Sequence, residues 1–279
     1  MDHVSPENRQ NVIAVANQKG GVGKTTTTVT VAGLLAERGY NTLMIDLDPH
    51  GSLTSYFGFD PESLTQGVYN LYQQAAAKQA LMPDAAIQPT EFERLSILPA
   101  STALATLEKQ MGGKSGMGLV LSGALGALKQ HYDYVLIDCP PMLGMLMINA
   151  LAACEQLVIP VQTEFLAIKG LQRMLRTLKM IERSLKKQLA YHVLPTLYDK
   201  RTLASKQCLE QLQQDYAEHV TAEVIPVDTK FRDASHLGKP ASMLAPNTHG
   251  VQAYARFLSE LNVNAMPAET EAFERQVSC

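Results

Sequence analysis

The sequence predicts an α/β protein with a mostly parallel, doubly wound sheet flanked by helices. Three observations carry this. Short apolar runs alternate with longer helical patterns along the chain. Several of the runs stop at a glycine-rich turn or at acids followed by proline. The chemically active residue types gather at those stops, where open α/β sheets bind ligands.

Taken in order, residues 12–16 form the first apolar run and lead into a Gly-rich turn. Residues 24–38 then have helical character and stop at Gly39. Residues 42–45 are a second run, ending in acids and Pro49, and residues 95–98 are a third. Residues 134–137 are a fourth, ending at Asp138 and Pro140-Pro141. Runs at 156–161, 190–197 and 223–225 continue the series, with helical patterns at 167–188, 204–216 and 251–261. Residues 142–154 are the most apolar stretch, at about a dozen residues too short to span a bilayer and better read as a buried helix. Residues 69–118, with an Ala/Gln-rich part and Gly112-Gly113-Lys114-Ser115-Gly116, read as a variable, mobile periphery. No internal repeat is visible. The reading is one domain over residues 1–279, with flexible tails at 1–10 and 264–279.

Bulk properties bound the function. The 279 residues suit one large domain, and 46% hydrophobic against 18% charged residues is an ordinary globular balance. A formal net charge of -3 argues against coating nucleic acid by bulk charge but leaves room for a local basic face. Cys139, Cys154, Cys208 and Cys279 show no CxxC spacing, so reduced, mostly buried thiols are expected. The N-terminus lacks the basic-then-apolar order of a signal peptide, and a cytoplasmic protein without stable membrane insertion is expected.

The strongest chemical signal is Asn17-Gln18-Lys19-Gly20-Gly21-Val22-Gly23-Lys24-Thr25-Thr26. It follows an apolar run and opens a helix, the setting a phosphate loop requires. Glycines let backbone N–H groups turn inward as an anion nest, and the helix N-terminus adds its positive end. Lys24 can reach the β- and γ-phosphates, and the Thr25 hydroxyl suits Mg²⁺. Asp46, Asp48 and Asp138 end two of the apolar runs, which would set carboxylates beside the loop; each alone could equally be a cap or turn residue.

The run KGGxGKT, with Lys19 ahead of the glycines, resembles the deviant Walker A motif of the ParA/MinD ATPases. Asp46-Leu47-Asp48-Pro49-His50-Gly51 is similar to that family's DxDPQ motif, and Asp138 with Pro140-Pro141 to its Walker B strand. Ile225-Pro226-Val227-Asp228 resembles the segment bordering the adenine, and Gly238-Lys239-Pro240 with Tyr254 the C-terminal block. Departures are His50 for the usual Gln, Met142 for Ser, and Asp233 where Glu is common. The resemblance implies a P-loop fold, ATP and Mg²⁺ as cofactors, and slow ATP hydrolysis stimulated by a protein partner. It implies Lys24 on the phosphates, Thr25, Asp46 and Asp138 on Mg²⁺ or its waters, and Asp48 on the attacking water. It also implies that Lys19 reaches the phosphates of a partner copy, so that ATP holds a homodimer together.

Between residues 169 and 206 stand ten Lys and Arg side chains opposed only by Glu182 and Asp199. An apolar stripe of Leu171, Leu175, Leu178 and Leu185 turns most of them outward. The face is either simply solvated or a patch for nonspecific DNA, with Arg201, Lys230 and Arg232 as further candidates. Residues 48–58 are most similar to ParA-like proteins that place chemotaxis arrays at bacterial poles. The alternative is chromosome or plasmid segregation on the nucleoid with a ParB-like, centromere-binding partner; a MinD-type membrane regulator is poorly supported by the acidic tail.

Overall fold

A computed structural model describes residues 10–111 and 116–261. The expected tails, apart from Gln10 in the first, the tip of the Gly-rich stretch and Cys279 lie outside the described residues.

Seven strands form one sheet: β1 (Asn11–Val15), β2 (Thr42–Asp46), β3 (Gln88–Pro89), β4 (Leu95–Leu98), β5 (Tyr134–Asp138), β6 (Gln156–Gln162) and β7 (Ala190–Thr196). Their order is β3-β4-β2-β5-β1-β6-β7, all parallel except the short β3. Such sheets are covered on both faces, which is why β2 and β5 are buried along their whole length. Alternate positions along each strand enter opposite core layers: Val12, Leu43 and Val135 one, Ile13, Met44 and Leu136 the other. The second layer is closed by α1 (Lys24–Glu37) and α11 (His249–Glu260), where Leu35 and Phe257 are fully buried.

The first layer holds α3 (Val68–Ala76), α4 (Ala103–Met111), α5 (Val120–Gly126), α6 (Met145–Ala153) and α7 (Phe165–Leu185). Residues 69–111 are therefore not a loose periphery. Leu71, Tyr72, Leu104 and Leu107 are buried, because Val68, Leu71, Tyr72 and Ala75 recur at helical spacing and give α3 one apolar face. The Asn70 side chain accepts from Gly67 N at 2.8 Å and closes the start of that helix.

Two further expectations are corrected. Residues 223–225 do not form a strand. Ile225 N donates to Pro195 O, but the pairing is an isolated bridge at Tyr198 and Pro226, and Pro226 has no N–H to extend a ladder. The apolar stretch at 142–154 is helical and buried only from Met145. Met142 and Leu143 remain exposed, at 69% and 43%. The helix begins where it does because Glu108 of α4 caps it. Its Oε1 accepts from Leu146 N at 3.3 Å, and a Cβ on Gly144 would stand 1.9 Å from that same oxygen.

Helix α7 presents Lys169, Arg173, Arg176, Lys179 and Arg183 to solvent and buries Leu171, Met174, Leu178 and Ile181. Leu175 and Leu185 are only half-buried at the edge of the stripe. Lys187 is not part of the outward face: its Nζ donates to the carbonyls of Ala152 and Cys154 at the C-terminus of α6, where a cation is favourable. Cys139, Cys154 and Cys208 are free and buried, and burial pushes all three thiols up, towards the unreactive neutral form. Among the described residues no helix is long and apolar enough to cross a membrane.

Candidate functional site

The residues singled out in the sequence converge where β1, β2, β5 and β6 end. Pairing in register sets Asp46 directly beside Asp138, and Asp138 beside Val15, which leads into the glycine loop. Gly21 and Gly23 have φ of 71° and 94°, in the left-handed region. A Cβ at Gly20, Gly21 or Gly23 would meet no atom within 4 Å, so the loop encloses open space rather than protein. Helix α1 begins at Gly23 with no side-chain cap and no acid in its first turn. Its free N–H groups and dipole are thus available to an anion.

Lys24 is buried, with Nζ 3.5 Å from Lys19 O. Thr25 Oγ1 donates to Asp138 Oδ2 at 2.6 Å. Asp138 Oδ1 is buried without a hydrogen-bond partner among the described residues. Burial, and then the neighbouring Asp46 carboxylate, hold the Asp138 pKa well above the ordinary range. A buried, half-satisfied carboxylate beside a hydroxyl and a second acid is an all-oxygen donor set of the kind Mg²⁺ takes. Among the described residues no group of three His, Cys, Asp or Glu could hold an ion alone.

Asp46, expected on Mg²⁺ or its waters, has both carboxylate oxygens held by the protein. Its Oδ2 accepts from Thr54 N and Oγ1 at 2.8 and 2.7 Å, and its Oδ1 accepts from Asp48 N at 3.0 Å. Both oxygens are engaged in holding the loop after β2. Burial raises its pKa as well, against the lowering effect of those hydrogen bonds. Nothing in the spacing of Asp46 and Thr54, eight residues apart, announces this clamp.

Beside the loop lies a cavity of about 750 Å³, lined by Gly20, Gly21, Gly23, Lys24, Thr25, Thr26 and Asp48 at one end and by Pro226, Asp228, Phe231, Arg232 and Tyr254 at the other. Sequence reasoning missed Phe231 and Thr196 in this lining. Val22 is buried and does not line it; its carbonyl accepts from Thr196 Oγ1 at 2.8 Å. The Asp228 carboxylate is already committed, accepting from Lys230 N at 2.9 Å and Gly250 N at 3.1 Å. It thereby joins the starts of α9 (Lys230–His236) and α11.

Lys19 does not line the cavity. Its Nζ donates to Glu164 Oε1 and, at 3.2 Å, to Gln162 Oε1; Gln162 is the last residue of β6 and Glu164 lies just past it. The loop is fastened to the same region twice more: Asn17 Nδ2 donates to Pro160 O at 2.7 Å, and Gln18 Nε2 to Thr177 Oγ1 on α7 at 2.9 Å.

Two of the three DNA-binding candidates are paired with acids. Arg201 Nε and a guanidinium NH₂ donate to the Asp199 carboxylate at 2.9 and 2.7 Å, and Lys230 Nζ donates to Asp233 at 2.8 Å. Arg232 borders the cavity.

The AAA domain family matches residues 10–191. The sporulation initiation inhibitor protein Soj of Bacillus subtilis is 37% identical over 254 residues, covering 91% of this chain and 98% of Soj. The chromosome partitioning protein ParA of Caulobacter vibrioides is 35% identical, covering 91% of this chain and 94% of that one. Among solved structures, cobyrinic acid a,c-diamide synthase of Mycobacterium smegmatis with bound ADP and magnesium superposes with a TM-score of 0.78 at 34% identity, covering 94% of this chain and 100% of that one. Matched over 91% of its length by both Soj and ParA, this chain belongs to the ParA/Soj family of ATPases.

Proposed function

We propose that this protein is a cytoplasmic, single-domain ATPase that works as an ATP-dependent dimerisation switch and positions cellular cargo. One observation carries the reading. The phosphate loop, Lys19 and four strongly exposed large apolar side chains, Met142, Phe165, Leu166 and Leu203, all follow the carboxyl ends of strands, on one end of the sheet. An apolar, phosphate-holding end of this kind is suited to being covered by a second copy when nucleotide fills it.

ATP and Mg²⁺ are the cofactors of this reading, supported by the donor set and by the ADP and magnesium of the M. smegmatis structure. The loop N–H groups of residues 20–26 and Lys24 hold the phosphates. Thr25 and the free oxygen of Asp138 hold Mg²⁺, with Asp46 behind them fixing the loop that carries Asp48. The bound cation neutralises charge developing on the transferred phosphoryl group. Asp48 orients the attacking water. Pro226 and the backbone at Asp228 border the base. Lys19 leaves Glu164 and reaches the partner's phosphates, so hydrolysis loosens the dimer and turnover is slow until a partner protein stimulates it.

Chromosome partitioning is the cargo reading that the names Soj and ParA support, with a ParB-like partner and nonspecific DNA on the basic face of α7. Polar placement of chemotaxis arrays by way of a scaffold partner rests on residues 48–58 alone. Light scattering with a non-hydrolysable ATP analogue and Mg²⁺ tests the switch. The mass should double with nucleotide, and a mass indifferent to it removes the reading. Fluorescence localisation, on the nucleoid or at the pole, decides between the cargoes.

A further inference from the structure

We propose that His50 is a positioning residue for ATP hydrolysis, acting through Asp48; this rests on the reading of Asp48 as the group that orients the attacking water. The loop after β2 is tightly folded. Asp48 N donates to Asp46 Oδ1 at 3.0 Å, and Gly51 N returns to Asp48 O at 2.8 Å. Gly51 has a φ of 63°, and a Cβ there would stand 2.4 Å from Pro61. The backbone around Asp48 is therefore fixed by its neighbours.

The carboxylate itself is fixed by His50. Asp48 Oδ1 accepts from His50 N at 3.0 Å and lies 2.8 Å from His50 Nδ1. Among the described residues the other oxygen, Oδ2, has no hydrogen-bond partner. A terminal carboxylate torsion is broad and roughly two-fold, so an unclamped Asp48 would exchange its oxygens and blur their positions. Two donors on Oδ1 select one orientation and leave Oδ2 for the water. A carboxylate is acceptor-only, so Nδ1 must carry the proton in this contact. The geometry also explains why His does not simply replace the Gln usual in the resembling motif. Nδ1 is two bonds from Cβ, the distance of an Asn amide nitrogen, whereas a Gln amide lies one bond further out. Asp48 lines the cavity with Lys24 and Thr25, while the His50 side chain is 80% exposed, so the ring holds Asp48 from outside without contacting nucleotide.

The test uses the full chain with ATP and Mg²⁺, comparing wild type, His50→Ala, His50→Asn and Asp48→Asn by steady-state kinetics and nucleotide binding. His50→Ala should lower kcat roughly tenfold, the size of one charge-assisted hydrogen bond, with KM and nucleotide affinity unchanged. His50→Asn should recover most of that loss, because it restores the donor at the same reach. A kcat for His50→Ala equal to wild type, or no recovery in His50→Asn, overturns the proposal, provided Asp48→Asn is inactive. Wild-type turnover in Asp48→Asn overturns the role given to Asp48 itself, and the proposal with it.

Discussion

Lys19 is held by Glu164 of its own chain, across the gap between the phosphate loop and the start of α7. Both side chains keep part of their surface in water, 30% and 40%. The pair is thus a screened contact of the kind that exchanges readily, and a phosphate group carrying more charge can replace Glu164. Glu164→Gln should weaken this hold and shift ATP-dependent dimerisation to lower protein concentration, by about threefold or more for a contact of this class. Sedimentation or light scattering across a concentration series measures it. An unchanged midpoint would mean the pair does not compete with the partner's phosphates.

The two lysines of the loop should separate by phenotype. Lys24 is buried against the loop and Lys19 lies outside the cavity lining. Lys24→Ala should abolish tight ATP binding, whereas Lys19→Ala should bind ATP as a monomer and fail to dimerise. Calorimetric titration alongside light scattering separates the two effects, and equal loss of binding in both variants would contradict the assignment.

The buried acids make stability depend on pH in a definite sense. Burial raises both Asp46 and Asp138 above the carboxylate values of an unfolded chain. The folded, nucleotide-free protein then binds more protons than the unfolded one, so its stability falls as pH rises through the raised values. Melting without Mg²⁺ or nucleotide should show a higher Tm near pH 6 than near pH 8, within ordinary titration ranges. Asp138→Asn should reduce that difference and raise Tm near pH 8 by about 2 °C or more, by removing a buried charge. It should also lose the stabilisation that Mg²⁺ and ATP give the wild type. A variant no more stable than wild type at the higher pH would count against a costly buried charge.

If the exposed cations of α7 hold DNA, Arg173→Glu with Lys179→Glu should weaken binding to unrelated duplexes equally, and reduce the log–log salt slope by about 0.9 per lost phosphate contact. Arg201 is engaged by Asp199, so Asp199→Ala should tighten binding by freeing it. Anisotropy titrations with the ATP-bound form decide, and tightening without any salt dependence would exclude a phosphate contact.

The parallel sheet and the phosphate loop were legible because their signals are local. Residues 17–26 state the loop outright, and apolar runs ending in Asp46 and Asp138 state the strands that flank it. What stayed hidden was set by pairs distant in sequence. Thr54 takes one carboxylate oxygen of Asp46, Glu108 fixes the start of α6, and Glu164 takes Lys19. The missed helices α3 and α4 failed for another reason: nine residues each give too few turns for their periodicity to stand out beside an Ala/Gln-rich run. The strand expected at 223–225 failed because β-like composition does not supply the missing N–H of Pro226.

The three successive attachments of Asn17, Gln18 and Lys19 reach the end of β6, the middle of α7 and the residue just before its start. A loop joined to the helix at two separate points, and to β6 at a third, cannot pivot independently of it about any one of them. Loop and helix therefore behave as a single lever whose short arm lies against the phosphates. Helix α7 has 21 residues, a long arm of about 30 Å at the usual rise per residue. A tilt of roughly 3° at the loop would carry its far end about 1.5 Å, enough to change how the cations along it meet a regularly spaced polyanion.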